Sequence, residues 1–199
     1  MSLLLRSALI LPILLVAACA TTPMPEAIAP ADAFFARLST LCGKAFAGRL
    51  AVFNEGDSKT FAGPAVMHVR QCTASEIRIP FHAGDNRSRT WVITRTATGL
   101  RLKHDHRHED GSEDKLTQYG GDTIAPGAAG HQEFPADAFS KALFEREKMP
   151  VSIDNVWAVE VEPGQLFAYE LRRPNRHFRV EFDLATPVPL PPAPWGSHD

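Results

Sequence analysis

The sequence predicts a mainly β protein, an antiparallel barrel or sandwich of about eight to ten strands with an N-terminal helix and a proline-rich C-terminal tail. Three observations lead there. Short segments rich in β-branched and aromatic residues, most alternating apolar with polar, recur between residues 46 and 184. Turn residues such as Thr98-Gly99 and Pro163-Gly164 separate them at hairpin spacing. Helical patterns do not alternate with these segments, which argues against a parallel α/β sheet.

The elements follow in order. Residues 20–30 hold three prolines and little to pack, the composition of a tether. Asp32 stands where it can cap a short helix whose Phe34, Phe35, Leu38 and Leu41 share one face, and Gly43 ends it. Strands are predicted over Phe46–Phe53, Ala65–Cys72, Ser75–Phe81, Arg89–Thr96, Gly99–His108, Asn155–Glu162, Gln165–Arg173 and His177–Leu184. Asn54-Glu55-Gly56-Asp57 reads as a turn, and 120–130 as a glycine-rich loop. A second helix is predicted over Pro135–Glu147, with Pro135 in its first turn and Phe139, Leu143 and Phe144 able to pack. The last strand alternates most clearly, with Phe178, Val180, Phe182 and Leu184 on one face. The tail cannot join a sheet interior and is expected to wrap the surface with Trp195 as a latch.

Composition bounds the function. A chain of 199 residues, 44% hydrophobic and 22% charged, suits one domain. With 21 basic and 23 acidic side chains, no segment supplies the positive field that a nucleic-acid partner requires. The expected organisation is an export signal at 1–18, a lipidated Cys19 and tether at 19–31, one β domain at 32–185 and the tail at 186–199.

The export reading starts from Arg6, the apolar run Ala8–Ala18 and the small residues after it. Arg6 and Pro12 leave this stretch too short and interrupted for a membrane span. Val16-Ala17-Ala18-Cys19 resembles the lipobox of bacterial lipoproteins. That resemblance implies a diacylated Cys19 as the mature N-terminus, and Ala20 after it implies sorting to the periplasmic face of the outer membrane. The alternative is ordinary cleavage after Ala20. With Cys19 lipidated, Cys42 and Cys72 remain as an even pair in an exported protein, either bridged or held as two buried thiols.

The layout of one helix followed by antiparallel strands is similar to lipocalin-like (calycin) barrels, in which a helix closes one end. The likeness is architectural: the Gly-x-Trp of lipocalins is absent, and Gly43-Lys44-Ala45 and Gly48-Arg49-Leu50 stand near its place. A histidine-rich strand, Tyr119-Gly120-Gly121 and the Pro191-Pro192-Ala193-Pro194-Trp195-Gly196 end also resemble bacterial secreted proteins to which no activity is attached.

Chemistry concentrates in Gly99–Asp114. With period two, Leu100, Leu102, His104, His106 and His108 share one face, and Arg101, Lys103, Asp105, Arg107 and Glu109 the other. The histidines therefore continue a face that should point inward. They can form a cross-strand hydrogen-bonded row, line a polar ligand-binding interior, or hold a metal. Three in a row cover about 13 Å, so only two, His104 and His106 foremost, could share one ion. Further ligands would come from His68, His82, His131 or Glu181. The acidic turn Glu109–Asp114 lacks the calcium-loop pattern.

A second cluster, Tyr169, Glu170, Arg172, Arg173, Arg176, His177, Arg179 and Glu181, suits cross-strand salt bridges first and an anion clamp second. Trp91 and Trp157 read as core, and Tyr119 as the rim of a pocket or the plug of a barrel end. No nucleophile elbow, phosphate loop, dinucleotide turn or zinc-helix motif occurs. The sequence thus points to a non-catalytic envelope lipoprotein, needing no cofactor, that binds a small ligand or envelope protein through His104, His106 and Tyr119. The alternatives are a small histidine-based enzyme, with or without a metal, and a purely structural envelope component.

Overall fold

The computed structural model describes residues 28–197. The stretch read as an export signal, Cys19 and most of the expected tether lie outside them. The chain runs α1 (Pro30–Ser39), β1 (Ala45–Val52), α2 (Glu55–Thr60), β2 (Ala65–His68), β3 (Gln71–Cys72), β4 (Glu76–Ala83), β5 (Asn86–Thr96) and β6 (Gly99–His106). It continues with β7 (Tyr119–Asp122), β8 (His131–Pro135), α3 (Ala138–Arg146), a 3-10 turn (Pro150–Asp154), β9 (Val156–Glu162), β10 (Leu166–Arg173) and β11 (Arg176–Asp183). All eleven strands belong to one antiparallel sheet ordered β7-β6-β5-β4-β2-β1-β11-β10-β9-β8, with β3 paired to β4. The sheet curls into a nearly closed barrel, as the alternating pattern predicts.

Alternation decides the inside. On β11, Phe178, Val180 and Phe182 are buried; on β10, Phe167 and Tyr169; on β9, Trp157, Val159 and Val161; on β4, Ile77, Ile79 and Phe81. The helix α1 plugs one end with Phe34, Phe35 and Leu38, all buried. Asp32 pairs with Arg95 at the end of β5, and Arg37 with Glu162 at the end of β9. Those pairs set α1 over the barrel end opposite Arg89, Arg173 and Arg176.

Closure falls to two strands that the sequence hid in loops. The segment after Tyr119 forms β7, hydrogen-bonded along β6, while 131–135 forms β8 against β9. The two sheet ends meet without a full ladder. The Asp137 amide donates to Gly120 O (2.9 Å), and the Ser140 hydroxyl lies 2.7 Å from the Gly120 amide and 2.8 Å from its carbonyl.

Other expectations are corrected. Asn54 does not start a hairpin turn; it caps α2, its side chain accepting from the Asp57 amide while the Asp57 carboxylate accepts from the Asn54 amide. Asp32 is not a cap, because Pro30 already opens α1 after Ala29. Pro135 ends β8, and the second helix begins three residues later behind an Asp137 cap. Phe139 faces outward under the Lys103 ammonium. His108 is exposed rather than inward, because the strand ends at His106. There Arg107 bridges to Glu113 and the His108 amide donates to Ser112 O around a turn at Gly111.

Cys42 and Cys72 are bridged, tying the end of α1 to β3 across 30 residues. Such a loop gives roughly 3 to 4 kcal/mol in the chain-entropy model. A structural bridge of this kind fits an oxidising, extracytoplasmic compartment. Among the described residues no helix is long and apolar enough to cross a membrane. The tail pairs Val188 with Ala45 at the start of β1, and the Trp195 amide donates to Arg87 O.

Candidate functional site

The barrel is not filled to its open end. A cavity of about 390 Å³ lies between the inner faces of β5, β6, β9, β10 and β11 and the caps formed by α2 and by α3 with the 3-10 turn. Each inward row becomes polar at this end. On β5 the order is Ile93, Trp91, Arg89; on β6, Leu102, His104, His106; on β10, Tyr169, Leu171, Arg173; on β11, Phe178, Arg176. The register aligns these rows, with Arg89 opposite His106 and Arg173 opposite Arg176.

The wall is a continuous aromatic belt. Trp91 stacks on Phe81 at 5.1 Å and on Tyr169 at 4.5 Å between ring centroids. His104 stacks on Tyr119 at 4.4 Å, and Trp157 approaches both, at 5.2 and 5.5 Å. Phe61, carried in by α2, adds a ring beside Phe81 and Phe178. Trp91 and Trp157 are core residues, as expected, and also face the cavity.

The structure brings His104, His106 and Tyr119 together on this wall and gives them different parts. The His104 ring contacts the Tyr119 carbonyl through Nδ1 (3.0 Å) and the Tyr169 hydroxyl through Nε2 (2.7 Å). A carbonyl only accepts, so Nδ1 carries the proton and Nε2 accepts from Tyr169. Burial pushes the His104 pKa down to about 3, with the His106 charge adding to the effect. Both nitrogens are occupied and the ring is neutral, so His104 has no lone pair left for a metal and no vacant site for proton transfer. His106 is half-buried, with Nε2 3.3 Å from the Tyr119 hydroxyl. Burial first and Arg89 second hold its pKa near 4. Burial pushes the Tyr119 phenol up to about 12 and also raises Tyr169 well above the usual phenol range, so both stay protonated donors.

The other proposed ligands lie elsewhere. His68 and His82 alternate with Met67 and Phe81 on the opposite face of β2 and β4. His131 pairs with Glu133, and Glu181 with Arg49 and Arg179. Among the described residues, no three His, Cys, Asp or Glu side chains converge as a metal site would require.

The arginine cluster divides by strand face. Outward, Arg179 pairs with Glu160, Glu170 and Glu181, Arg172 with Glu133, and His177 with Glu170. Inward, Tyr169 joins the belt while Arg173 and Arg176 reach the cavity. Arg176 forms a fork on Asp57, at 2.5 and 2.7 Å. Arg173 Nη1 donates only to neutral oxygens, Ser152 Oγ and Asn155 Oδ1. Arg89 Nη1 donates to Ser88 Oγ, and its guanidinium lies 5.0 Å from the Phe61 ring centre. Arg89 was not singled out as a site residue from the sequence. Its signal was an arginine in phase with Trp91 and Ile93 on an otherwise apolar face.

The arrangement can enclose an apolar, ring-bearing molecule and orient its polar end toward the mouth. No known protein family, curated protein or solved structure matches this chain.

Proposed function

We propose that the protein is a lipid-anchored envelope protein whose barrel binds a small ligand without chemically changing it. The observation that carries this reading is the open cavity of about 390 Å³ walled by aromatic rings, at the barrel end opposite the buried Phe34, Phe35 and Leu38 of α1. That volume falls in the range of small-molecule sites. The occupied nitrogens of His104 favour binding over histidine catalysis, and the cavity itself disfavours a purely structural role.

Titration with the neutral dye N-phenyl-1-naphthylamine tests the reading. One saturable site is expected, and Leu171→Trp, which projects an indole into the cavity, should weaken it at least tenfold while circular dichroism stays unchanged. Non-saturable binding, or equal binding by the filled variant, refutes the reading.

The anchor is a separate part of the proposal and rests on Val16-Ala17-Ala18-Cys19 with the extracytoplasmic disulfide. Two acyl chains hold a protein stably on a bilayer, where one gives marginal binding. Replacing Cys19 with Ser is expected to move the protein from the outer-membrane fraction to the soluble fraction. Retention on salt-washed membranes would refute the anchor.

A further inference from the structure

The charges at the cavity mouth do not balance within the protein. Arg89, Arg173 and Arg176 line it against Asp57 and Asp114, three cations to two anions, a net charge of +1. The histidines contribute nothing near neutral pH, since His104 and His106 are held neutral. Asp57 is committed to Arg176, and Asp114 accepts from the Leu116 amide. Among the described residues neither Arg89 nor Arg173 has a carboxylate partner, and Nε and Nη2 of both make no hydrogen bond. Most other arginines of the barrel are treated otherwise: Arg78, Arg95, Arg101, Arg107, Arg172 and Arg179 each meet at least one carboxylate, while Arg87, outside the cavity, donates to Ala193 O.

Arg89 is the better placed of the two. It is one inward step from Trp91 and opposite His106, and its charge is felt by His104, His106, Tyr119 and Tyr169. It therefore addresses the centre of the belt. Arg173 reinforces the field from the other side of the sheet, where burial and the neighbouring Arg176 lower its pKa. A guanidinium with adjacent vacant N–H groups matches the two oxygens of a carboxylate.

We infer that the ligand is an organic monoanion, with a compact ring-bearing body against Trp91, Tyr119 and Trp157 and a carboxylate on the free N–H groups of Arg89. This rests on the ligand-binding reading of the cavity and adds the chemical class. One net positive charge suits a carboxylate better than a dianionic phosphate. The tyrosine hydroxyls and the neutral His104 orient the body but supply no opposing charge.

The test compares 2-naphthoate with 2-naphthamide, which has the same shape and no charge, by isothermal titration at pH 7.5 and low salt. The acid is expected to bind at least tenfold more tightly than the amide. Arg89→Gln should bring the two within about twofold, Arg89→Lys should restore part of the preference, and Arg173→Gln should reduce it less. Equal affinity of the wild-type protein for acid and amide overturns the monoanion class while leaving the cavity reading intact. A preference for the acid that survives Arg89→Gln in a folded variant overturns the assignment to Arg89. Failure of both compounds and of the neutral dye overturns the class and the cavity reading together.

Discussion

Acidification from pH 7 to 4.5 is expected to destabilise the fold by several kcal/mol, before most carboxylates titrate. His104 and His82 are 2% and 4% exposed, and burial holds their pKa values at about 3 and about 4. In the unfolded chain both return to about 6.5. Between those values the unfolded state binds more protons than the folded one, so stability is complete above pH 6.5 and falls as pH drops. Each histidine contributes a slope of up to about 1.4 kcal/mol per pH unit, and on the order of 2 kcal/mol across pH 6.5 to 4.5. His106 and His68 act in the same direction, both lowered first by burial. The charges around the four deepen the effect: Arg89 and Lys103 near His104, Arg70 and Arg87 near His82, opposed at His106 by Asp105 and Asp114. At lower pH, Asp122 adds to the loss, because its Arg101 hydrogen bonds hold it below the usual carboxylate range. Urea unfolding at pH 7, 5.5 and 4.5 measures this. A midpoint that does not move between pH 7 and 4.5 contradicts the buried, neutral placement of these rings.

The second large effect is at the barrel seam. Gly120→Ala is expected to destabilise the protein by at least about 3 kcal/mol, since a strained φ and a backbone overlap add. Gly120 has φ +150°, and a Cβ there would sit 1.9 Å from Leu102 O, the backbone of the neighbouring strand. That oxygen cannot swing aside as a side chain would. Moving it also disturbs the contacts of Gly120 with Ser140 and Asp137, which hold β7 to the β8–α3 corner. Gly164→Ala is the control. It has φ +72° in the β9–β10 turn with nothing within 4 Å of a new Cβ, so only the backbone conformation is penalised, by about 1 kcal/mol. Equal losses for the two variants in thermal unfolding would show that the seam is not tightly packed.

Where interactions are local, the chain alone determined the outcome. Phe178, Val180 and Phe182 alternate with His177, Arg179 and Glu181 and do face in and out as their period requires. The Pro163-Gly164 hairpin and the Phe34, Phe35 and Leu38 face of α1 follow from turn chemistry and helical spacing. The Cys42–Cys72 bridge was legible as one of two outcomes, the other being two buried thiols, once the lipobox resemblance sets Cys19 aside.

Only the tertiary structure decided what depends on residues far apart in sequence. His104 and His108 share a period, yet one is buried beneath Tyr169 and the other is exposed, because hydrogen bonding to β5 ends where Arg107 turns toward Glu113. Tyr119–Asp122 reads as glycine-rich loop. It becomes a strand because only glycines allow the two sheet ends to approach so closely. Arg89, Arg173 and Arg176 stand on three strands that are not all neighbours, and their convergence at one mouth depends on the order in which the barrel assembles those strands. Periodicity tells each residue which face it occupies. Register and closure, summed over the whole sheet, tell it which other residues share that space.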